Sequence, residues 1–322
     1  MDQAIPTLSA SVAIRPLREH ELDEADRIFR LAFGTFIGLP DPMDFMKGAQ
    51  LVPSRWRADP SAFLAADLDG TLVGSNGVTT WGSVGFFGPL TVRPELWDRG
   101  IGQRLLEPAM QLFRDRGTRE VGLFTFPHSP KHIGLYQKFG FWPRSLTAVM
   151  RRRVRPAEAP ARASLLSQLP DDARTQSIDA CLELGDAVHA GLDLRPEIRG
   201  VLANANGDTV LLWGADRLEA FAVCHCGPGS EAEDGTCYVK FGACRPGPRA
   251  DANLGRLLDE CGRFAAGRAA DWLVAGANTA RRRAYSAMLD GGFVPQLFGV
   301  AMHLGNAPGY CREEVLLVDD WR

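Results

Sequence analysis

Nowhere in the 322 residues do 18 apolar positions follow one another, so no segment has the make-up of a membrane-spanning helix. The N-terminus also lacks the apolar core of a secretory leader, which leaves a cytoplasmic location as the default expectation. No cysteine occurs before residue 180, and the seven that follow are odd in number. That argues against a disulfide framework and for reduced, buried thiols. Cys224-His225-Cys226 lies in an alternating apolar run, so both thiols share one strand face and no metal knuckle is expected. Lysine is scarce, at four of 36 basic residues, and reads as a compositional bias. There is no excess of positive charge either: 16 basic face 16 acidic residues up to residue 150, and 20 face 23 beyond it. Neither half carries the basic surface that nucleic-acid binding needs. The one local cluster, Arg151 to Arg153 with Arg155, reads as a solvated strand exit, with a polyanion site as the alternative.

What is present suits two domains of about 150 residues each. The stretch that organises the first runs from Leu90 to Leu106. Leu90 and Val92 alternate as a strand, Pro94 stops it, and from Ile101 the apolar positions Leu105, Leu106, Met110 and Phe113 recur at helical spacing. Between them stand Gly100 and Gly102. Glycine lets successive backbone N–H groups converge, and the helix that follows turns the positive end of its dipole to the same place. An ordinary strand-to-helix turn and a phosphate loop both fit this pattern.

The rest of the first half reads as strand Ser11–Pro16, helix Glu19–Phe33, and a loop with a short helix near Met43 to Met46. A hairpin follows around Leu68-Asp69-Gly70, and then a bulged strand from Thr79 to Val92. The long helix after the glycine loop closes at Gly117, and Val121 to Phe126 is a buried strand. A short helix capped by Ser129 carries Tyr136 in its last turns and ends at Gly140, before a strand from Phe141. Residues 156–164 are a linker by composition, dividing the chain into domains 1–155 and 165–322. The second half repeats the order of the first, with Arg256-Leu257-Leu258 echoing Arg104-Leu105-Leu106 and Gly292-Phe293 echoing Gly140-Phe141.

A strand ending Leu90-Thr91-Val92-Arg93-Pro94, then Gly100-Ile101-Gly102, a long helix, a buried strand and Leu135-Tyr136 followed by Gly140-Phe141 together resemble the GNAT superfamily of acyl-CoA-dependent N-acyltransferases. The resemblance covers about residues 12–150, with a degenerate copy from about 165 to 322. It implies an α/β fold of the α+β type: two GNAT-like domains, each a mixed, mostly antiparallel sheet flanked by helices and splayed beside the glycine loop. It implies acetyl-CoA as co-substrate and a primary amine as acceptor. The pantetheine arm would pair with the backbone of Leu90, Thr91 and Val92. The pyrophosphate would take the amides of Asp98, Arg99, Gly100, Ile101, Gly102 and Gln103. Tyr136 falls on the position that serves the leaving thiolate, Ser129 on one whose hydroxyl can still bond the pantetheine, and His132 is a candidate cofactor contact at the helix start.

Two positions depart from the family: Trp97 stands where Gln or Arg is usual, and Ser129 where asparagine is. No general base is identifiable: His128 and His132 flank the helix start and could deprotonate an ammonium or contact cofactor, and they fit capping or packing at least as well. In the second copy Ala252-Asn253-Leu254 replaces the glycine loop and Met288 replaces Tyr136. That copy is therefore expected to have lost CoA chemistry and to serve as a substrate-binding, pocket-completing or dimer surface. The acceptor stays open among small metabolite, antibiotic amine, peptide N-terminus and protein lysine. The competing class is a non-catalytic acyl-CoA-binding or interaction protein. A Rossmann nucleotide domain conflicts with the hairpin before the loop.

Overall fold

A computed structural model describes residues 12–156 and 161–322. Ser11, expected to open the first strand, and part of the linker lie outside them. In chain order the elements are β1 (Val12–Pro16), α1 (Leu22–Ile37), α2 (Leu51–Ala58), β2 (Phe63–Leu68), β3 (Thr71–Trp81), β4 (Val84–Phe87), β5 (Thr91–Val92), α3 (Ile101–Asp115), β6 (Glu120–Thr125), α4 (Pro130–Gln137) and β7 (Phe141–Arg153). They continue as β8 (Ser164–Leu165), α5 (Asp171–Val188), α6 (Arg195–Asn204), β9 (Gly207–Trp213), β10 (Leu218–Cys226), β11 (Thr236–Cys244), α7 (Ala250–Gly267), β12 (Trp272–Asn278), α8 (Arg282–Asp290), β13 (Val294–Leu304) and β14 (Leu317–Val318).

The chain forms two compact units. One holds the described residues up to Thr79 together with Phe87–Gly117; the other holds Thr80–Phe86 and the described residues from Thr118 onward. These units follow contacts rather than the linker.

In the first unit β1, β2, β3 and β5 pair antiparallel in that order. The Asp69-Gly70 turn is left-handed at both residues, as a tight hairpin requires, with φ of 51° and 82°. Helix α3 lays Ile101, Leu105, Leu106, Ala109, Met110 and Phe113 into the core. Burying each of the large ones contributes roughly 1.5–3 kcal/mol, and that seats the helix despite Pro108 in its interior. The segment expected as one bulged strand from Thr79 to Val92 is divided. β3 runs to Trp81, and β5 returns along β3 with Gly74 opposite Val92. A Cβ on Gly74 would come within 2.5 Å of the Thr91 carbonyl, which accounts for glycine there.

In the second unit β4 runs parallel to β6, with Val84 opposite Glu120 and Phe86 opposite Gly122. β11 runs parallel to β12, with Thr236 opposite Trp272 and Tyr238 opposite Val274. One displacement of 152 positions carries Val84 onto Thr236 and Glu120 onto Trp272. The same displacement carries Tyr136 onto Met288 and Gly140 onto Gly292. The parallel pairs β4–β6 and β11–β12 therefore share one offset in sequence.

β13 pairs with β6 on one edge and β7 on the other, and β7 pairs in turn with β12. From β12 the sheet continues through β11, β10, β9 and β8. One face of it packs on Leu254, Leu257, Leu258 and Cys261 of α7, and the other on Ile178 and Leu184 of α5 and Ile198 and Val201 of α6. Cys224 and Cys226 share the α7 side, as the alternation predicts, and all seven cysteines are buried free thiols.

Candidate functional site

The sequence-predicted residues fall on two structural pieces, one in each unit. In the first unit Leu90 is half-buried and lies just outside β5, which comprises Thr91 and Val92 alone. The Thr91 side chain is buried, and its hydroxyl lies 3.2 Å from that of Ser75. Its chemistry toward a ligand is therefore that of its backbone. Val92 is half-buried, and its carbonyl accepts from the Trp97 indole at 2.8 Å. The tryptophan thus ties the start of the loop back to the strand, a positional role in place of the family's polar side chain.

After a short turn at Pro94–Leu96 the chain passes through two left-handed residues, Asp98 at φ 64° and Gly100 at φ 78°, and enters α3. Asp98, Arg99 and Gly100 are exposed. Nothing lies within 4 Å of where a Gly100 side chain would begin. The first amide of the helix bonded four residues back is that of Arg104, to Gly100 O at 3.3 Å. The amides of Ile101, Gly102 and Gln103 belong to the first turn, which a helix leaves without internal acceptors. Left-handed turns followed by such a helix start aim several N–H groups and the helix dipole at one open place, suited to an anion of phosphate size.

The second piece is α4 and the strand before it. Ser129 is buried and caps α4, its hydroxyl accepting from the His132 amide at 3.4 Å with Pro130 at the first helical position. Ser129 and His132 are thus joined by the cap. His128 is exposed beside the Phe126 ring, and His132 is half-buried. Tyr136 is buried at 8% exposure. Burial pushes its phenol up to about 12, against the opposing effect of a hydrogen bond with Thr125 of β6. The phenol is therefore neutral and a hydrogen-bond donor throughout the physiological range.

A third polar centre escapes sequence reasoning. Glu197 of α6, His225 of β10 and Glu231 of the following loop are all buried, with ligand-type atoms within 4.8 Å of one another. The ammonium of Lys240 on β11 stands between the carboxylates, 2.9 Å from Glu197 Oε1 and 2.5 Å from Glu231 Oε1. His225 Nε2 lies 3.2 Å from Glu197 Oε1. Burial alone would raise the Glu197 carboxyl, yet Lys240 and His225 hold it down at about 2. With the lysine in place the two carboxylates share one cation, so the group works as an ion network. Its members are separated by up to 43 positions, and only the alternation that turns His225 away from Cys224 and Cys226 hinted at it.

Residues 25–141 match a protein-family profile described as the acetyltransferase (GNAT) family. Mycothiol acetyltransferase of Clavibacter sepedonicus is 28% identical over 132 residues, a stretch covering 40% of this chain and 43% of that relative's length. Among solved structures, a protein from Pyrococcus horikoshii assigned as an acetyltransferase shares the fold at a TM-score of 0.67 and 15% identity, over 98% of this chain and 97% of its own. A GCN5-related N-acetyltransferase from Sphaerobacter thermophilus superposes at 0.57 and 13% identity, over 92% and 96%. N-myristoyltransferase of Saccharomyces cerevisiae, solved with myristoyl-CoA bound, does so at 0.63 and 12% identity, over 95% and 85%. It is thus residues 25–141, with their glycine loop and the tyrosine on α4, that match the GNAT acetyltransferase family.

Proposed function

We propose that the protein transfers an acetyl group from acetyl-CoA to a primary amine. The observation that carries this reading is the loop from Asp98 to Gly102, an anion site made of backbone, inside a stretch that matches an acetyltransferase family. The amides from Asp98 to Gln103 are assigned to the pyrophosphate, and the backbone of Leu90 to Val92 to the pantetheine arm. Ser129 and His132 are assigned to the far part of that arm.

In the reaction the neutral amine attacks the thioester carbonyl and a tetrahedral oxyanion forms. The carbon–sulfur bond then breaks, CoA thiolate departs, and the proton lost by nitrogen passes to solvent. A strand amide near Leu90 to Val92 stabilises the oxyanion. Tyr136 serves the thiolate. A phenol near 12 is about 3.5 units weaker as an acid than an ordinary thiol near 8.5. Full transfer of its proton to sulfur is therefore uphill by about 5 kcal/mol, and donation of a hydrogen bond to the developing anion is the favoured role.

Free thiol released from acetyl-CoA in the presence of small amines, aminoglycoside-type amines, peptide N-termini and lysine peptides tests the proposal. Release with at least one acceptor class is expected. Calorimetric binding of acetyl-CoA with no release from any class would make the chain a binding protein instead. The loop has its own test. Valine at position 100 must adopt a left-handed backbone at a cost of roughly 1–2 kcal/mol. Gly100→Val is expected to weaken acetyl-CoA binding by about tenfold or more, with far-ultraviolet circular dichroism unchanged.

A further inference from the structure

In the second repeat the place that corresponds to the pantetheine groove holds a piece of the chain itself. The displacement of 152 positions carries Leu90 and Thr91 onto Gly242 and Ala243. β11 has two edges. One pairs with β10 along its length; the other pairs with β12 only from Thr236 to Val239, beyond which the two strands part. On that same edge, beyond the parting, β14 pairs antiparallel with β11: Val318 lies opposite Gly242 and Leu317 opposite Ala243. Cys244, at the position of Val92, donates its amide to Leu316 O at 3.0 Å.

The other wall agrees. Gly276 of β12 faces Asp320 so closely that a Cβ there would collide with that side chain. Arg281 stands 152 positions after Ser129 and is fully buried. Its Nη2 donates to both the carbonyl and the carboxylate of Asp319, at 3.0 and 2.5 Å. Tyr238 donates its hydroxyl to Asp320 Oδ1 at 2.8 Å. Leu317 and Val318 are both 0% exposed.

We infer that the second repeat keeps its groove as a peptide-binding site, and that its ligand is the extended segment Leu316–Asp320 of the same chain, bound by strand addition. This rests on reading the second half as a GNAT copy. An amide-rich pantetheine arm and an extended peptide present the same alternation of donors and acceptors to a strand edge, so one groove suits either. Loss of the loop glycines removes the phosphate end of the site, and Arg281 supplies a charge for the carboxylate of Asp319. Where the first repeat is assigned a cofactor, the second takes a peptide.

The test uses the full chain and a fluorescein-labelled peptide of residues 315–322. Val318→Pro removes the β14 amide that a strand pair requires. The unmodified chain is expected to take up no peptide, because its groove is filled. The folded variant is expected to take up one per chain, saturably. A folded variant that takes up none, or an unmodified chain that binds as tightly as the variant, would overturn the inference. Should the variant not fold, hydrogen exchange of the unmodified chain decides. Amides of 316–320 slowed on the order of 100-fold or more against free peptide, in one step with Cys244, support it; exchange at the free rate overturns it. Neither readout involves acetyl-CoA, so a failure of the acetyl-transfer proposal is scored separately.

Discussion

Tyr136→Phe is expected to lower kcat for acetyl transfer by roughly 10²–10³-fold, the usual loss when a preorganised donor to developing charge is removed. KM for acetyl-CoA should stay within about twofold, because the phenol is used only as the carbon–sulfur bond breaks. The ring itself is retained in its buried place on α4, so stability should change by no more than about 1–2 kcal/mol, the cost of leaving Thr125 without its partner. Steady-state kinetics beside thermal unfolding separate the two effects. A fall in kcat matched by collapse of the unfolding midpoint, or an unchanged kcat, would remove Tyr136 from the chemistry. A merely packed tyrosine predicts the unchanged kcat.

The largest expected stability effect belongs to Lys240. Lys240→Met leaves Glu197 and Glu231 facing each other in a buried site with their common cation gone. Breaking a buried ion pair from one side costs about 3–5 kcal/mol, which corresponds to roughly 5–15 °C in the unfolding midpoint. The pH dependence should change sign with it. In the unmodified chain the Glu197 carboxyl is held at about 2, below its ordinary value near 4.5. A depressed carboxyl contributes stability that is complete above the unfolded value and lost as pH falls through about 4.5 toward 2. In the variant the two carboxylates repel, protonation relieves them, and acidification from neutral pH should at first raise the midpoint. Adding Glu231→Gln should recover part of the loss. A Lys240→Met midpoint within 1 °C of the unmodified chain would show that the network carries no stability.

The glycine loop and α4 could be read from the sequence because their chemistry is local. Gly100, Ser129, Pro130 and Gly140 each act within a few positions of themselves, and the structure places them at a left-handed helix entry, a cap, a first helical turn and a left-handed helix exit. The strands and helices from Thr209 to Leu304 were legible for the same reason, through apolar alternation and helical spacing. What the sequence hid is non-local. α2 sits in a stretch that reads as loop because Pro53 lies within it. β14 has two residues, too short for any period. The helices α5 and α6 carry apolar positions interrupted by Ser177, Gly185 and Glu197, two of them turned inward for close contact or charge pairing. The placing of β13 beside β6 depends on partners about 180 positions apart, which no local pattern reports.

That placing has a consequence for synthesis. As the chain leaves the ribosome, β6 and β7 emerge early, but the strand that lies between them is made only after residue 294. Until then each presents an open edge, a template for pairing with other chains. The strand carrying Thr125, the partner of Tyr136, is therefore completed only by a strand made long after it. A chain cut anywhere between α4 and β13 would contain every residue assigned to acetyl transfer and still leave that sheet unfinished.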